Sequence, residues 1–156
     1  VLVITGYYQE AALVSKQARG LGLKSTMLGG DGAEAPELVK LGGEAVEGFF
    51  FSTHFDEKSA TTDLGRKYVE AYRAKFSKAP DALGALGADA YFMLAEAIER
   101  GKSFEPEKIR DELEKMKGFE AVSGVISMDE KHNAVKSAVV KRVEKGEFVY
   151  VTTVNP

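Results

Sequence analysis

Two short motifs gather the residues best suited to molecular recognition. Gly6-Tyr7-Tyr8 places two phenols behind a glycine, and Gly29-Gly30-Asp31-Gly32 places one carboxylate among glycines. A carboxylate pairs with an ammonium group, and an aromatic ring adds apolar and cation–π contact to the same charge. Tyr7 and Asp31 together therefore suit a small molecule that carries an ammonium group. The neighbouring Gly6 and Gly30 allow the backbone to come close to such a ligand. Plainer roles stand beside this one. Asp31 is also a natural turn former or helix N-cap, and Tyr7 and Tyr8 are also natural cover for a sheet edge.

No other group of residues suggests a reaction centre. The glycine motif lacks the Lys-Ser/Thr of a phosphate-binding loop and the spacing of a dinucleotide fingerprint. The histidines, His54 and His132, are far apart in sequence, and cysteine is absent. Thiolate zinc sites, thiol catalysis and disulfides are thereby excluded. No Gly-x-Ser-x-Gly elbow occurs. The paired carboxylates Asp111-Glu112 fall on a Lys/Glu-rich stretch that reads as a solvated helix face. The expectation is a binding protein with no catalytic residue, metal or cofactor.

The elements that would position the two motifs follow from spacing. Residues 1–5 form an apolar, β-rich run that reads as a strand buried on both faces. A loop over Tyr7, Tyr8 and Gln9 leads to a helix over 10–21, with Ala11, Val14, Ala18 and Leu21 at helical spacing and Gly22 as its cap. Residues 25–28 form a second strand, 36–41 a short helix opened by Pro36, and 48–52 a third strand. The β-α-β-α-β order predicts a parallel sheet with covering helices. Both motifs then leave the carboxyl ends of strands, where ligands bind in open α/β sheets. Neighbouring strands lie about 4.8 Å apart, which brings Tyr7 and Asp31 to one ligand if the first two strands pair.

Further along, Leu64, Tyr68, Tyr72 and Phe76 mark a helix over 62–77. A long apolar helix over 82–100 shows a broad face of Leu86, Ala90, Met93, Leu94, Ala97 and Ile98, and is expected to be well buried. Pro106 opens a further helix in which Ile109, Leu113 and Met116 face inward, with Gly118 as its stop. The last part is strand-rich: 124–127, a polar turn at 128–133, and two strands over 137–143 and 148–154 joined by a hairpin turn at Glu144-Lys145-Gly146-Glu147. No internal repeat is visible.

Composition agrees with a folded α/β protein. Of 156 residues, 44% are apolar and 29% charged, which places the chain with globular and not disordered sequences. The net charge of −3 argues against nucleic acid as a partner, since phosphate binding needs a basic excess. No apolar run is long enough to cross a membrane. The chain opens at Val1 directly into a strand with no leader in front of it. It reads as a protein whose signal has been removed or as a piece of something longer.

The motifs, taken in order, resemble the branched-chain amino-acid-binding family of ABC-transporter substrate-binding proteins. The likeness runs from Thr5-Gly6-Tyr7-Tyr8-Gln9-Glu10-Ala11 through Gln17-Ala18-Arg19, Gly22-Leu23-Lys24 and Gly29-Gly30-Asp31-Gly32. It continues through Pro36-Glu37-Leu38, Gly42-Gly43, Glu47-Gly48, Tyr68-Val69-Glu70-Ala71-Tyr72, Pro80, Asp89-Ala90-Tyr91, Gly124 and Met128-Asp129. The resemblance implies a type I periplasmic-binding-protein fold, with two Rossmann-like lobes that close on an amino acid. It implies Tyr7 and Asp31 as cleft residues, Asp31 meeting the ligand's α-ammonium group. Three positions depart from the family pattern: Gln9 stands for a proline, Ala33 for an aromatic, and Leu83 for an aromatic that packs on the ligand's side chain. The Leu83-Gly84 pair implies an altered side-chain pocket.

The resemblance covers only the C-terminal portion of the family's chain. It implies that residues 1–53 belong to the second lobe, 54–127 to the first, and 128–156 to the second again, with neither lobe complete. The implied partners are an amino-acid ligand, an ABC-transporter permease, and either an N-terminal portion or a second copy that completes the lobes. The implied location is periplasmic or extracellular, with a lipid anchor on some members. A ligand-sensing domain of the same fold is the alternative reading. A flavodoxin-like enzyme or nucleotide binder is a third.

Overall fold

The computed structural model describes residues 1–156. The chain divides into two compact units. The first takes Val1–Thr53 and Val139–Val154, and the second His54–Ala138 with Asn155–Pro156. In chain order the first unit opens with β1 (Leu2–Ile4), α1 (Tyr8–Gly20), β2 (Met27–Gly29), α2 (Pro36–Gly42) and β3 (Phe50–Thr53). The second carries α3 (Asp63–Phe76), α4 (Ala82–Gly101), α5 (Pro106–Glu114), β4 (Phe119–Ala121), β5 (Gly124–Met128) and β6 (Ala134–Val135). The chain then returns as β7 (Ala138–Glu144) and β8 (Glu147–Val154).

The first unit is built on a five-stranded sheet in the order β1-β2-β3-β7-β8. β1, β2 and β3 are parallel, as the β-α-β-α-β order predicts, and β7 runs antiparallel to β3. The sheet is therefore mixed. β7 re-enters beside β3 and turns straight back through Lys145-Gly146. Both turn residues have positive φ, 54° and 76°, which is the two-residue turn that matches strand twist. The Glu47 carboxylate accepts both turn N–H groups, at 2.9 and 2.7 Å.

Register decides which face is buried. Leu2 pairs with Met27 and Ile4 with Gly29; Gly29 pairs with Phe51, and Phe51 with Lys141. Ile4, Met27, Phe51 and Val143 on this face form a core with Ala11, Ala12, Ala33, Leu38, Val46 and Phe49. The opposite row is Val3, Leu28, Phe50 and Arg142. Val3 is 63% exposed and Leu28 37%. The expectation that the first strand is buried on both faces is thus corrected: helices cover one face, and the other is open along this apolar row.

Two helix boundaries shift for local reasons. α1 starts at Tyr8, inside the expected loop, because Tyr7 is extended and its carbonyl already accepts the Ala11 N–H at 2.9 Å. It ends with the Gly22 N–H bonded to the Arg19 carbonyl and the Leu23 N–H to that of Ala18. That double closure needs a left-handed residue, supplied by Gly22 at φ 81°. α5 stops at Glu114, and Met116 is buried just beyond it.

The second unit packs Phe55, Ala82, Ala85 and Val122 into a core bordered by Leu64, Tyr68, Val69 and Phe92. α4 is less buried than its composition predicts. Ala82, Ala85, Asp89 and Ala97 face inward, whereas Leu83, Tyr91 and Leu94 are 75%, 67% and 44% exposed. Residues 128–138 lie in this unit, not in the returning segment, because β6 pairs with β5 before the chain leaves. No helix is long and apolar enough to cross a membrane.

Candidate functional site

The pairing of β1 with β2 sets the geometry of the two motifs. Ile4 and Gly29 are register partners, so the chain leaves both strands at the same level. Gly6 follows β1 tightly: a Cβ there would sit 2.9 Å from Glu10 Cβ, on the first turn of α1. Tyr7 is the N-cap residue of α1 and is 71% exposed. Its ring lies over Gly32, where an added Cβ would meet Tyr7 Cδ1 at 3.0 Å. The two motifs are thus in contact. Tyr8 turns the other way and packs against the core.

After β2 the chain makes one 3₁₀ turn, Asp31–Ala33, with Gly30 before it in extended conformation. Asp31 is exposed, and its Oδ1 accepts the N–H of Gly32 at 3.0 Å. Open space surrounds Gly30, with nothing within 4 Å of a Cβ built there. Ala33 is fully buried and holds the turn to the core. The arrangement brings the Tyr7 ring against the turn that carries the Asp31 carboxylate, at the carboxyl ends of parallel strands. Such a pair can receive a cationic group, the carboxylate neutralising it and the ring shielding it.

Beneath this turn lies a set of residues that sequence reading passed over. Glu34 Oε1 accepts from Lys141 Nζ at 2.6 Å, and Glu34 Oε2 accepts from the Thr53 hydroxyl. The Lys141 and Glu34 side chains are only 9% and 11% exposed. A signal was present in β7: Lys141 shares its parity with Val139 and Val143, both buried. A lysine on the inward face of a strand calls for a buried partner.

Leu83 belongs to the second unit, on the first turn of α4. Asp81 caps that helix, accepting the Gly84 N–H at 2.7 Å. The Tyr68 hydroxyl stands 3.3 Å from where a Gly84 Cβ would be. Burial, followed by the neighbouring Tyr72, pushes the Tyr68 phenol above its ordinary pKa, so it stays protonated at neutral pH. Open hollows of about 480 and 490 Å³ lie against Ile109, Leu113 and Met128 and against Pro36, Val39 and Phe148; neither includes Tyr7 or Asp31.

Fold and patterning define an α/β chain built on Rossmann-like parallel strands. A family model described as periplasmic binding protein matches residues 1–147, and the chain belongs to that family. Its likeness within the family is to branched-chain amino-acid-binding members. The leucine-binding protein LivK of Thermotoga maritima is 50% identical over 99% of this chain and 44% of its own, with a TM-score of 0.93. The branched-chain amino acid transporter substrate-binding protein LivJ of Streptococcus pneumoniae, solved with isoleucine, is 32% identical with the same coverage and a TM-score of 0.84. A Leu/Ile/Val-binding protein homolog of Brucella abortus is 29% identical over 90% of this chain and 38% of its own length. The chain therefore spans less than half the length of these relatives.

Proposed function

We propose that the chain is part of an extracytoplasmic solute-binding protein that captures an amino acid, branched-chain or related, for uptake by an ABC transporter. It works by binding alone, with no catalytic step. The observation that supports this reading is the contact between the Tyr7 ring and Gly32, the neighbour of Asp31, where the chain leaves adjacent strand ends. Asp31 takes the ligand's α-ammonium group, Tyr7 flanks it, and Gly6 and Gly30 admit it to the backbone. Tyr8 anchors the same loop to the core.

Groups that hold the α-carboxylate come from residues outside this chain, in an N-terminal portion or a second copy. The exposed Val3 and Leu28, with half-buried Phe50 beside them, support that reading, because a parallel sheet is normally covered on both faces. The second unit forms the body of one lobe and the first unit that of the other. A permease receives the loaded protein, and a lipid anchor retains it at the membrane surface in cells without a periplasm.

The test is calorimetry of the complete gene product against a panel of proteinogenic L-amino acids. Asp31→Ala should weaken binding by about 1.5–3 kcal/mol, the worth of a hydrogen bond to a charged group. Unchanged affinity in that variant would remove Asp31 from the site.

A further inference from the structure

Three elements of the first unit converge on one carboxylate. Glu34 directly follows the Asp31–Ala33 turn, and its own N–H bonds the Asp31 carbonyl at 2.9 Å. Its side chain turns inward. Oε1 takes Lys141 Nζ from the middle of β7, and Oε2 takes the hydroxyl of Thr53, the last residue of β3. Thr53 is also the residue at which the chain leaves the first unit.

Such a cluster is a costly way to fill space. Replacing a buried ion pair by apolar side chains of similar volume is often neutral or stabilising, so stability alone explains it poorly. What the charges add is direction. A carboxylate with both oxygens engaged fixes the position and rotation of the backbone that carries it, three residues from Asp31 and next to buried Ala33. Lys141 and Thr53 sit on adjacent strands of a paired ladder, Phe51 opposite Lys141 and Thr53 opposite Val139, so their spacing is itself rigid.

We propose that Glu34, Lys141 and Thr53 are positioning residues that hold the Asp31 turn at a fixed height over the end of β3, and so set the affinity for the ligand's ammonium group. This rests on reading Asp31 as the ammonium anchor. A site whose supporting shell is loosened remains present but binds less well.

The experiment uses the complete gene product and reads two quantities separately: affinity for a panel of proteinogenic L-amino acids by calorimetry, and the melting temperature without ligand. The Glu34→Gln/Lys141→Met double variant removes the ion pair without leaving a lone charge. It should melt close to the wild type yet bind about ten-fold more weakly, one decade on the affinity scale. Lys141→Arg keeps the pair and should keep most of the affinity. Thr53→Val keeps the ion pair and removes only the hydroxyl; it carries the test if the double variant does not fold, and should bind measurably more weakly. Wild-type affinity in a folded double variant, or in Thr53→Val when the double variant does not fold, overturns the proposal. Asp31→Ala separates the two levels. If it binds as well as wild type, or if no amino acid binds the wild type, the site reading and this inference fall together. If Asp31→Ala loses binding while the cluster variants keep it, this inference alone falls.

Discussion

The Tyr7 ring rests on Gly32 so closely that a Cβ at position 32 would stand 3.0 Å from Tyr7 Cδ1 and 3.4 Å from Cε1. Gly32→Ala should displace the ring and spare the fold. No left-handed backbone is needed at Gly32, and Tyr7 is 71% exposed and free to yield. Gly32 is half-buried, but only the exposed Tyr7 ring has to move, so the change in stability should be about 0.5 kcal/mol. The expected outcome is an unchanged melting temperature with amino-acid affinity several-fold weaker by calorimetry. An unaltered affinity would show that the ring's place over the turn does not matter to binding.

The apolar row on the open sheet face leads to a second expectation. Val3 and Leu28 are adjacent in register, Phe50 continues the row, and the Arg142 guanidinium stands 5.6 Å from the Phe50 ring centre. The 156 residues expressed alone should bind a hydrophobic dye and self-associate with rising concentration, as exposed apolar patches do. Leu28→Lys should reduce both effects in sedimentation and fluorescence measurements, since its side chain already meets solvent. If Leu28→Lys leaves the association constant unchanged, the contact lies elsewhere.

Much of the site's framework was legible because it is local. Short apolar runs mark β1 and β2, each closed by glycine, and β3, which follows Gly48; the four-residue spacing of Tyr68, Tyr72 and Phe76 marks α3, where successive ring centres lie 5.8 and 4.6 Å apart. What was hidden depends on tertiary context. Residues 1–5 are equally apolar whether one face of β1 is covered or both. β4 is three residues long and β6 two, too short for any alternation to show. Glu34 and Lys141 are 107 positions apart, and only the β3–β7 pairing brings the lysine under the Asp31 turn. Tyr7 and Asp31 stand out as candidates because strand ends and glycine-bearing turns mark them locally.

Asp89 shows how a helix of the second unit secures a distant turn. It is 3% exposed and accepts the Val122 N–H at 2.6 Å, the Ser123 N–H at 3.1 Å and the Ser123 hydroxyl. Thr62 holds the Ala121 carbonyl at 2.6 Å from another side, and a Cβ on Gly65 would be 2.5 Å from the Val122 carbonyl oxygen. Asp89→Ala strands buried donors, each costing about 1–3 kcal/mol, so urea unfolding should shift by about that much or more. Gly65→Ala should also destabilise, because its neighbour is backbone and cannot swing aside. A midpoint unmoved by either change would contradict this packing.

The turn between β5 and β6 should register acid. Asp129 Oδ1 accepts the Asn133 N–H at 2.7 Å and the Lys131 N–H at 2.8 Å, while Oδ2 accepts the Asn133 side-chain amide at 3.0 Å. The Asn133 side chain, then its backbone N–H, hold the Asp129 carboxyl below its ordinary value near 3.8. In the unfolded chain that carboxyl titrates at the ordinary value. Its contribution to stability is therefore complete above 3.8 and is lost as the pH falls through the lower folded value. Carboxyl-carbon NMR should place the Asp129 midpoint below 3.8, and Asn133→Ala should move it back toward that value. The same acid range should loosen the pairing of Ser127 with Val135 and Met128 with Ala134, read as faster amide exchange there. An Asp129 midpoint at or above the ordinary value would mean that the turn owes nothing to this carboxylate.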